Sequence, residues 1–314
     1  MKWITGTWLD FRHPNPYDGY YWNGQTARFR KEQWDGKVGE MHSVGMDTLV
    51  IMSVALAGKA FYPSAYLKER WPLACDDPIK AVLDAAHKRH MQVFVGLGFR
   101  ENVGAGPDTR RESVDWHRHL ADDLQRRYGH HPAFFGWYLA NETAIHEIYP
   151  EKDVHFIRAI ADHCHQISHH KPVLIAPYGT NRVKECERFV EQLHELHVDH
   201  IAYQDEVGVR KTRVEQLPAI FARLERLHKK AGIPLWADVE IFEFEGDTYK
   251  SPLIPAPVAR IQRQVEIIGP YVERMLCYQY LGLMNPPDSP QFCGHPSSAR
   301  LYEDYMAWRK SGKP

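Results

Sequence analysis

Phe134-Phe-Gly-Trp-Tyr-Leu-Ala-Asn-Glu142 is a near-continuous apolar run that stops on two polar residues. Runs like this suit parallel strands buried on both faces. The flanking segments, Arg111–Tyr128 and Lys152–Ser168, carry helical periodicity. A strand between two amphipathic helices is a βα unit, and the same alternation continues outward in both directions. Upstream, strands are predicted at Trp3–Leu9, Thr48–Ala55 and Gln92–Gly98, with helices at Arg30–Val44 and from Asp77-Pro78 to His90. Asp77 is placed to cap that second helix and Pro78 to open its first turn. Downstream, strands are predicted at Val173–Pro177, His200–Gln204, Pro234–Val239 and Met275–Leu281. Helices follow at Arg182–Leu196, Val214–Lys230, Pro257–Ile268 and Ser298–Arg309.

Eight rounds within 314 residues match the size of a closed (β/α)8 barrel. The expectation is an α/β protein with the TIM-barrel fold, a single domain over residues 1–314. A doubly wound sheet is the main competitor. It places a Gly-rich phosphate turn after its first strand, whereas here that strand runs into Asp10-Phe11-Arg12-His13-Pro14-Asn15-Pro16. The loops after strands 1, 2, 7 and 8 are long and the return turns short. Function in such barrels sits on the loops after the strands.

Composition removes several function classes. Lys plus Arg number 39 and Asp plus Glu 40, a net charge of −1. No basic excess marks a nucleic-acid partner. The five cysteines include no CxxC pair, which disfavours structural zinc and a dense disulfide framework. No run approaches the roughly 18 apolar residues of a membrane helix, and the N-terminus lacks a signal-peptide core. A cytoplasmic chain with no membrane partner is expected, or a secreted or periplasmic one if a leader has been removed. Oligomeric state is left open. Nineteen histidines invite a metal reading. However, strand 1 lacks HxH, and His163, His165, His169, His170, His130 and His131 fall away from the active end. No metal and no cofactor are expected. Neither a GxSxG elbow nor a P-loop is present.

The chemistry therefore rests on carboxylates at strand ends. Asn141-Glu142 closes strand 4. Segment 234–240, Pro-Leu-Trp-Ala-Asp-Val-Glu, puts Asp238 and Glu240 at the end of strand 7, two apart and on one side of an extended chain. Glycoside hydrolysis needs two facing carboxyls, one to protonate the leaving oxygen and one to attack the anomeric carbon or activate water. A retaining pair would stand roughly 5–5.5 Å apart. Strand 6 adds Tyr203-Gln204-Asp205-Glu206; Asp205 is either a site residue or an ion-pair partner of Arg210 or Lys211. Further candidates for substrate contact are Trp8 and Asp10 on strand 1, Arg100 after strand 3, Tyr178 after strand 5, Trp236 on strand 7, and Gln279 and Tyr280 on strand 8. Trp236, Tyr178 and Tyr203 are the preferred sugar-stacking rings. His13 is expected to serve a loop hydrogen bond.

The sequence resembles the retaining glycoside hydrolases with (β/α)8 barrels, which carry an Asn-Glu acid/base on strand 4 and a Glu nucleophile on strand 7. Asn141-Glu142 and Glu240 match those positions by strand count. It resembles more closely a poorly characterised, glycosidase-like barrel family, through Gly6-Thr7-Trp8, Gly136-Trp137-Tyr138, Ala202-Tyr203-Gln204-Asp205 and Trp236-Ala237-Asp238-Val239-Glu240. That likeness spans nearly the whole chain. It implies a carbohydrate substrate, Glu142 as acid/base, Glu240 as nucleophile and Asn141 on the hydroxyl beside the reacting carbon. The commoner pattern is Asn-Glu-Pro, and Thr143 departs from it. Asp238 or Asp205 could replace Glu240. A non-catalytic carbohydrate-binding barrel, or a lyase or isomerase, are the alternative functions.

Overall fold

Thr48–Ile51 is buried at all four residues and Leu235–Glu240 at all six. A strand hides every residue only when strands flank it and both faces are covered. In the computed structural model, which describes residues 2–101 and 107–312, eight strands are each flanked by a strand on both sides: β1 (Ile4–Leu9), β2 (Thr48–Ile51), β3 (Gln92–Gly96), β4 (Phe134–Leu139), β5 (Val173–Ile175), β6 (His200–Gln204), β7 (Leu235–Glu240) and β8 (Arg274–Tyr278). They close into a barrel in which each pairs its neighbour in sequence and β8 returns to β1. Every ladder is parallel.

Helices alternate with them: α1 (Lys31–Ser43), α2 (Pro78–His87), α3 (Arg111–Tyr128), α4 (Glu151–Ile167), α5 (Glu187–Glu195), α6 (Leu217–Ala231), α7 (Val258–Ile268) and α8 (Ser298–Ser311). The fold is the (β/α)8 barrel expected, in one domain. Asp77 accepts the Lys80 N–H at 3.0 Å with Pro78 in the first turn, so the predicted cap forms. On α3 the buried set Ser113, Trp116, His117, Leu120, Leu124 and Tyr128 makes one stripe.

The structure corrects some boundaries. The apolar run from Thr48 leaves the barrel at Ile51. Ala55–Leu56 pairs instead with Lys59–Ala60 and Gly98–Phe99 in a small sheet above the rim. Past the rim a strand loses its barrel neighbours, and the loops satisfy their own backbone groups. Helix α5 starts at Glu187 rather than Arg182, because Thr180–Arg182 form a separate 3-10 turn after Gly179, whose φ is 79°.

The loops after β1 and β7 are locked together. Phe242–Phe244 and Leu253–Pro255 form a hairpin. Leu253 N–H donates to Asp18 O at 3.2 Å, and Asn15 Nδ2 donates to Tyr249 O at 3.3 Å. The opposite end of the barrel is packed with rings: His200 stacks on Trp236 at 4.1 Å, with Phe94 edge-on to Trp236 at 6.1 Å. All five cysteines are free thiols. His163 meets Asp122 and His165 meets Asp199, each at 2.9 Å, on the helical shell. Among the described residues no three His, Cys, Asp or Glu side chains are grouped to hold a metal, and no helix is long and apolar enough to cross a membrane.

Candidate active site

Alternation along β4 sends Tyr138 into the barrel, where its ring packs edge-on against Trp8 at 5.9 Å. Continuing that parity brings Glu142 over the same interior. Burial raises the phenols of Tyr138, Tyr178 and Tyr278, and the Glu142 charge adds to each rise, so the carboxyl lies near all three. Burial raises the Glu142 pKa to about 7, Glu206 adds to the rise, and Gln204 and Lys211 oppose it. Asn141, of opposite parity, turns to α3: its Oδ1 lies 2.8 Å from His117 Nε2. Ser113 O at 2.7 Å from His117 Nδ1 and Gly98 O at 3.1 Å from Nε2 complete an all-oxygen surround. The surround favours a charged ring, but burial has the larger effect and lowers its pKa. Thr143, where the commoner pattern has proline, donates to Asp153 Oδ2 at 2.6 Å and anchors the loop to α4.

The end of β7 supplies two more carboxyls. Asp238 and Glu240 are each 3% exposed and share the inward face. Glu240 Oε2 accepts the Val209 N–H at 2.8 Å. Gly208 permits this approach, since a Cβ there would lie 3.0 Å from Glu240 Cβ and 2.8 Å from Phe242 O. Asp205, at the end of β6, accepts Gln264 Nε2 at 2.5 Å and the Val207 N–H at 3.1 Å. Glu240 is raised well above the ordinary range by burial and then by Asp205, while Asp205 is pushed up to about 6 by burial. Two buried carboxyls that repel share one negative charge more readily than they hold two. Asp238 is also raised well above its usual value, by burial and then by Glu240, Asp205 and Glu142. Its Oδ1 is buried without a hydrogen bond.

From β1, Asp10 accepts Trp22 Nε1 at 3.1 Å and Gln279 Nε2 at 3.0 Å. Burial raises it. Asp18, on the loop after β1, is raised to about 6 by burial. Between these acids and Glu142 lies the Tyr278 phenol, which is raised by burial and then by Asp10, Asp18, Glu142 and Asp238, and which in turn steadies the Asp10 carboxylate.

The strand-end carboxyls and Gln204, Tyr178, Asp10 and Gln279 thus gather at one mouth; Asn141 stands at its α3 edge with Oδ1 held by His117. Other expectations need correction. Trp236 opens β7 rather than closing it, so it stacks on His200 and under Arg274 at the far end of the barrel. Tyr203 faces the helical shell: its hydroxyl lies 3.2 Å from Tyr149 Oη and 3.0 Å from His228 Nε2. Tyr280 also points outward, with Lys37 over its ring at 5.8 Å. Trp8 is 1% exposed and serves as floor beneath the site. Arg100 sits 3.7 Å from Asp108 on the loop after β3. Asp205 pairs with neither Arg210 nor Lys211; Lys211 instead faces Glu206 at 3.7 Å. His13 Nδ1 accepts the Asn15 N–H at 3.1 Å, the loop bond expected of it.

Sequence reasoning missed Tyr278, Asp18, Lys211 and His117. For Tyr278 the signal was present, because it is register partner to Glu240. For His117 the helical stripe gave no hint that a buried histidine would meet Asn141.

The chain belongs to the family described as a domain of unknown function (DUF4434), whose model matches residues 4–294. Among curated proteins no relative matches. Several solved structures share the fold. A candidate alpha-L-fucosidase from Bacteroides thetaiotaomicron VPI-5482 is 22% identical, with a TM-score of 0.77 over 98% of this chain and 93% of its own. An endocellulase from Pyrococcus horikoshii, 11% identical, superposes with a TM-score of 0.60 over 96% of this chain and 92% of its own. A family 39 glycoside hydrolase from Bacteroides cellulosilyticus WH2, 11% identical, gives 0.59 over 95% and 62%.

Proposed function

We propose that the protein is a glycoside hydrolase acting on an oligosaccharide, polysaccharide or glycoconjugate. The observation that carries this reading is Glu142: a strand-end carboxyl with a pKa raised to about 7, opposite further carboxyls at the end of β7. A carboxylic acid that keeps its proton near neutrality is what protonation of a leaving oxygen requires. The fold shared with proteins described as glycosidases supports the same reading.

In this mechanism Glu142 gives its proton to the glycosidic oxygen while Glu240 attacks the anomeric carbon. Glu142, now ionised, then takes a proton from the water that releases the sugar from Glu240. Asn141 and Gln204 hold hydroxyls, and Tyr178 offers a ring face to the sugar. Asp10 and Gln279 act together, since Gln279 already donates to Asp10 and its Oε1 has no other partner. Asp238 is the second reading for the partner carboxyl. It is favoured by its unpartnered Oδ1 and by the Glu142 charge it feels.

A panel of aryl glycosides tests both readings. Turnover by the wild type that is lost in Glu142→Gln and Glu240→Gln supports the pair; loss in Asp238→Asn with Glu240→Gln active moves the role to Asp238. Equal turnover by wild type and Glu142→Gln removes Glu142 from the mechanism. Proton NMR of the first-formed anomer separates retention from inversion.

A further inference from the structure

A cleft of about 180 Å³ opens between the loops after β4, β5 and β6, lined by Tyr178, Asn181, Arg182, Glu206 and Lys211. That is room for roughly six waters, so it suits one small ring rather than a chain. Its walls are fixed. Tyr178 N–H donates to Thr143 O at 3.1 Å and Ile145 N–H to Tyr178 O at 2.8 Å, zipping two loops together. Glu206 is 1% exposed. Its Oε2 accepts the Thr180 N–H at 2.9 Å, while Oε1 is buried without a hydrogen bond.

The cations of this cleft are poorly occupied. Lys211 Nζ stands 3.7 Å from Glu206 Oε1, beyond hydrogen-bond reach, and lies over the Tyr178 ring at 4.6 Å. Arg182 meets only His146 Nδ1, at 3.1 Å, and forms no ion pair among the described residues. Arg182 and Lys211 against Glu206 leave the cleft one positive charge while Glu142 holds its proton. A buried acceptor, a half-buried ring with Lys211 over one face, and two cations with spare donors form one constellation.

We propose that this cleft binds a single sugar unit carrying a carboxylate, a uronate. Its hydroxyl donates to Glu206 Oε1, its ring lies on Tyr178, and its carboxylate pairs with Arg182 and Lys211 by charge-assisted hydrogen bonds. Lys211 and Glu206 both act on Glu142, so the cleft adjoins that carboxyl. Placement of the unit as the leaving group rests on the hydrolase reading above; the binding itself does not.

Calorimetric or NMR titration of the whole protein with glucuronate, glucose and inorganic sulfate at constant ionic strength tests the site. Glucuronate is expected to bind at least tenfold tighter than glucose and than sulfate. Lys211→Met and Arg182→Met are each expected to weaken glucuronate at least tenfold, with glucose unchanged and native near-UV dichroism retained. Glu142→Gln should still bind glucuronate even if it has no turnover, which separates this site from the hydrolase reading. Equal affinity for glucose and glucuronate, sulfate binding as tightly as glucuronate, no binding of any probe, or variants that bind as wild type would each overturn the proposal.

Discussion

The two ends of β7 were built for opposite tasks. At its start Trp236 is sandwiched in a ring stack with His200, with Arg274 over its face at 5.3 Å. Four residues on, Glu240 is equally buried, and burial first and then the Asp205 and Glu206 carboxyls raise its pKa. One end stabilises the fold through apolar contact; the other holds charge in a place that disfavours charge.

The largest test of that contrast is at the mouth. Glu142→Gln should lower kcat/KM on an aryl glycoside by roughly 10²–10⁴-fold, the range for a lost general acid. Glu240→Gln should cost at least as much. At the far end, Trp236→Ala should reduce stability by about 3–5 kcal/mol in denaturant melts, with turnover per folded molecule unchanged. A fall in turnover out of proportion to unfolding would erase the division between the ends.

A third test uses pH. Glu142 is raised to about 7, and Asp18 and Asp205 to about 6. Groups raised on folding contribute their full stability below the unfolded value, 4.5 for Glu142 and 3.8 for the two aspartates, and that contribution is lost as pH climbs through 6 to 7. Glu142→Gln should therefore match the wild-type unfolding free energy below about pH 4.5 and exceed it at pH 8, by on the order of 1–3 kcal/mol in denaturant melts. A constant difference across that window would mean Glu142 is not forced to ionise in a hostile place. The smallest effect belongs to Tyr203→Phe. It removes the hydroxyl contacts to Tyr149 and His228 on the shell, and is expected to cost about 1 kcal/mol of stability and nothing in kcat.

Much of the site could be read because strand ends are visible in one dimension. Glu142, Asp238 and Glu240 each stand where an apolar run stops, and the two-residue spacing on β7 put both acids on one face. The errors came from the same rule applied without counting. Trp236 sits at the wrong end of its strand, and Tyr203 has the wrong parity, because a shift of one residue turns a side chain from the interior to the helical shell; Tyr280 lies past the end of β8, where strand alternation no longer sets its direction. Gln204 and Tyr178 landed at the mouth, while Tyr278, one residue from a named candidate, was passed over.

The periodic alternation of apolar strands and amphipathic helices determined the barrel, since burial of each strand on both faces admits few other closures. It also placed the acids at one end. Only the tertiary structure decided which charges meet. Lys211 and Glu206 share the loop after β6, whereas Tyr178 and Glu142 come from the loops after β5 and β4, and the pull of Lys211 on Glu142 depends on how those loops pack. Electrostatic coupling falls with distance through space rather than along the chain, so the proton on Glu142 is a property of the folded mouth and of no segment of sequence.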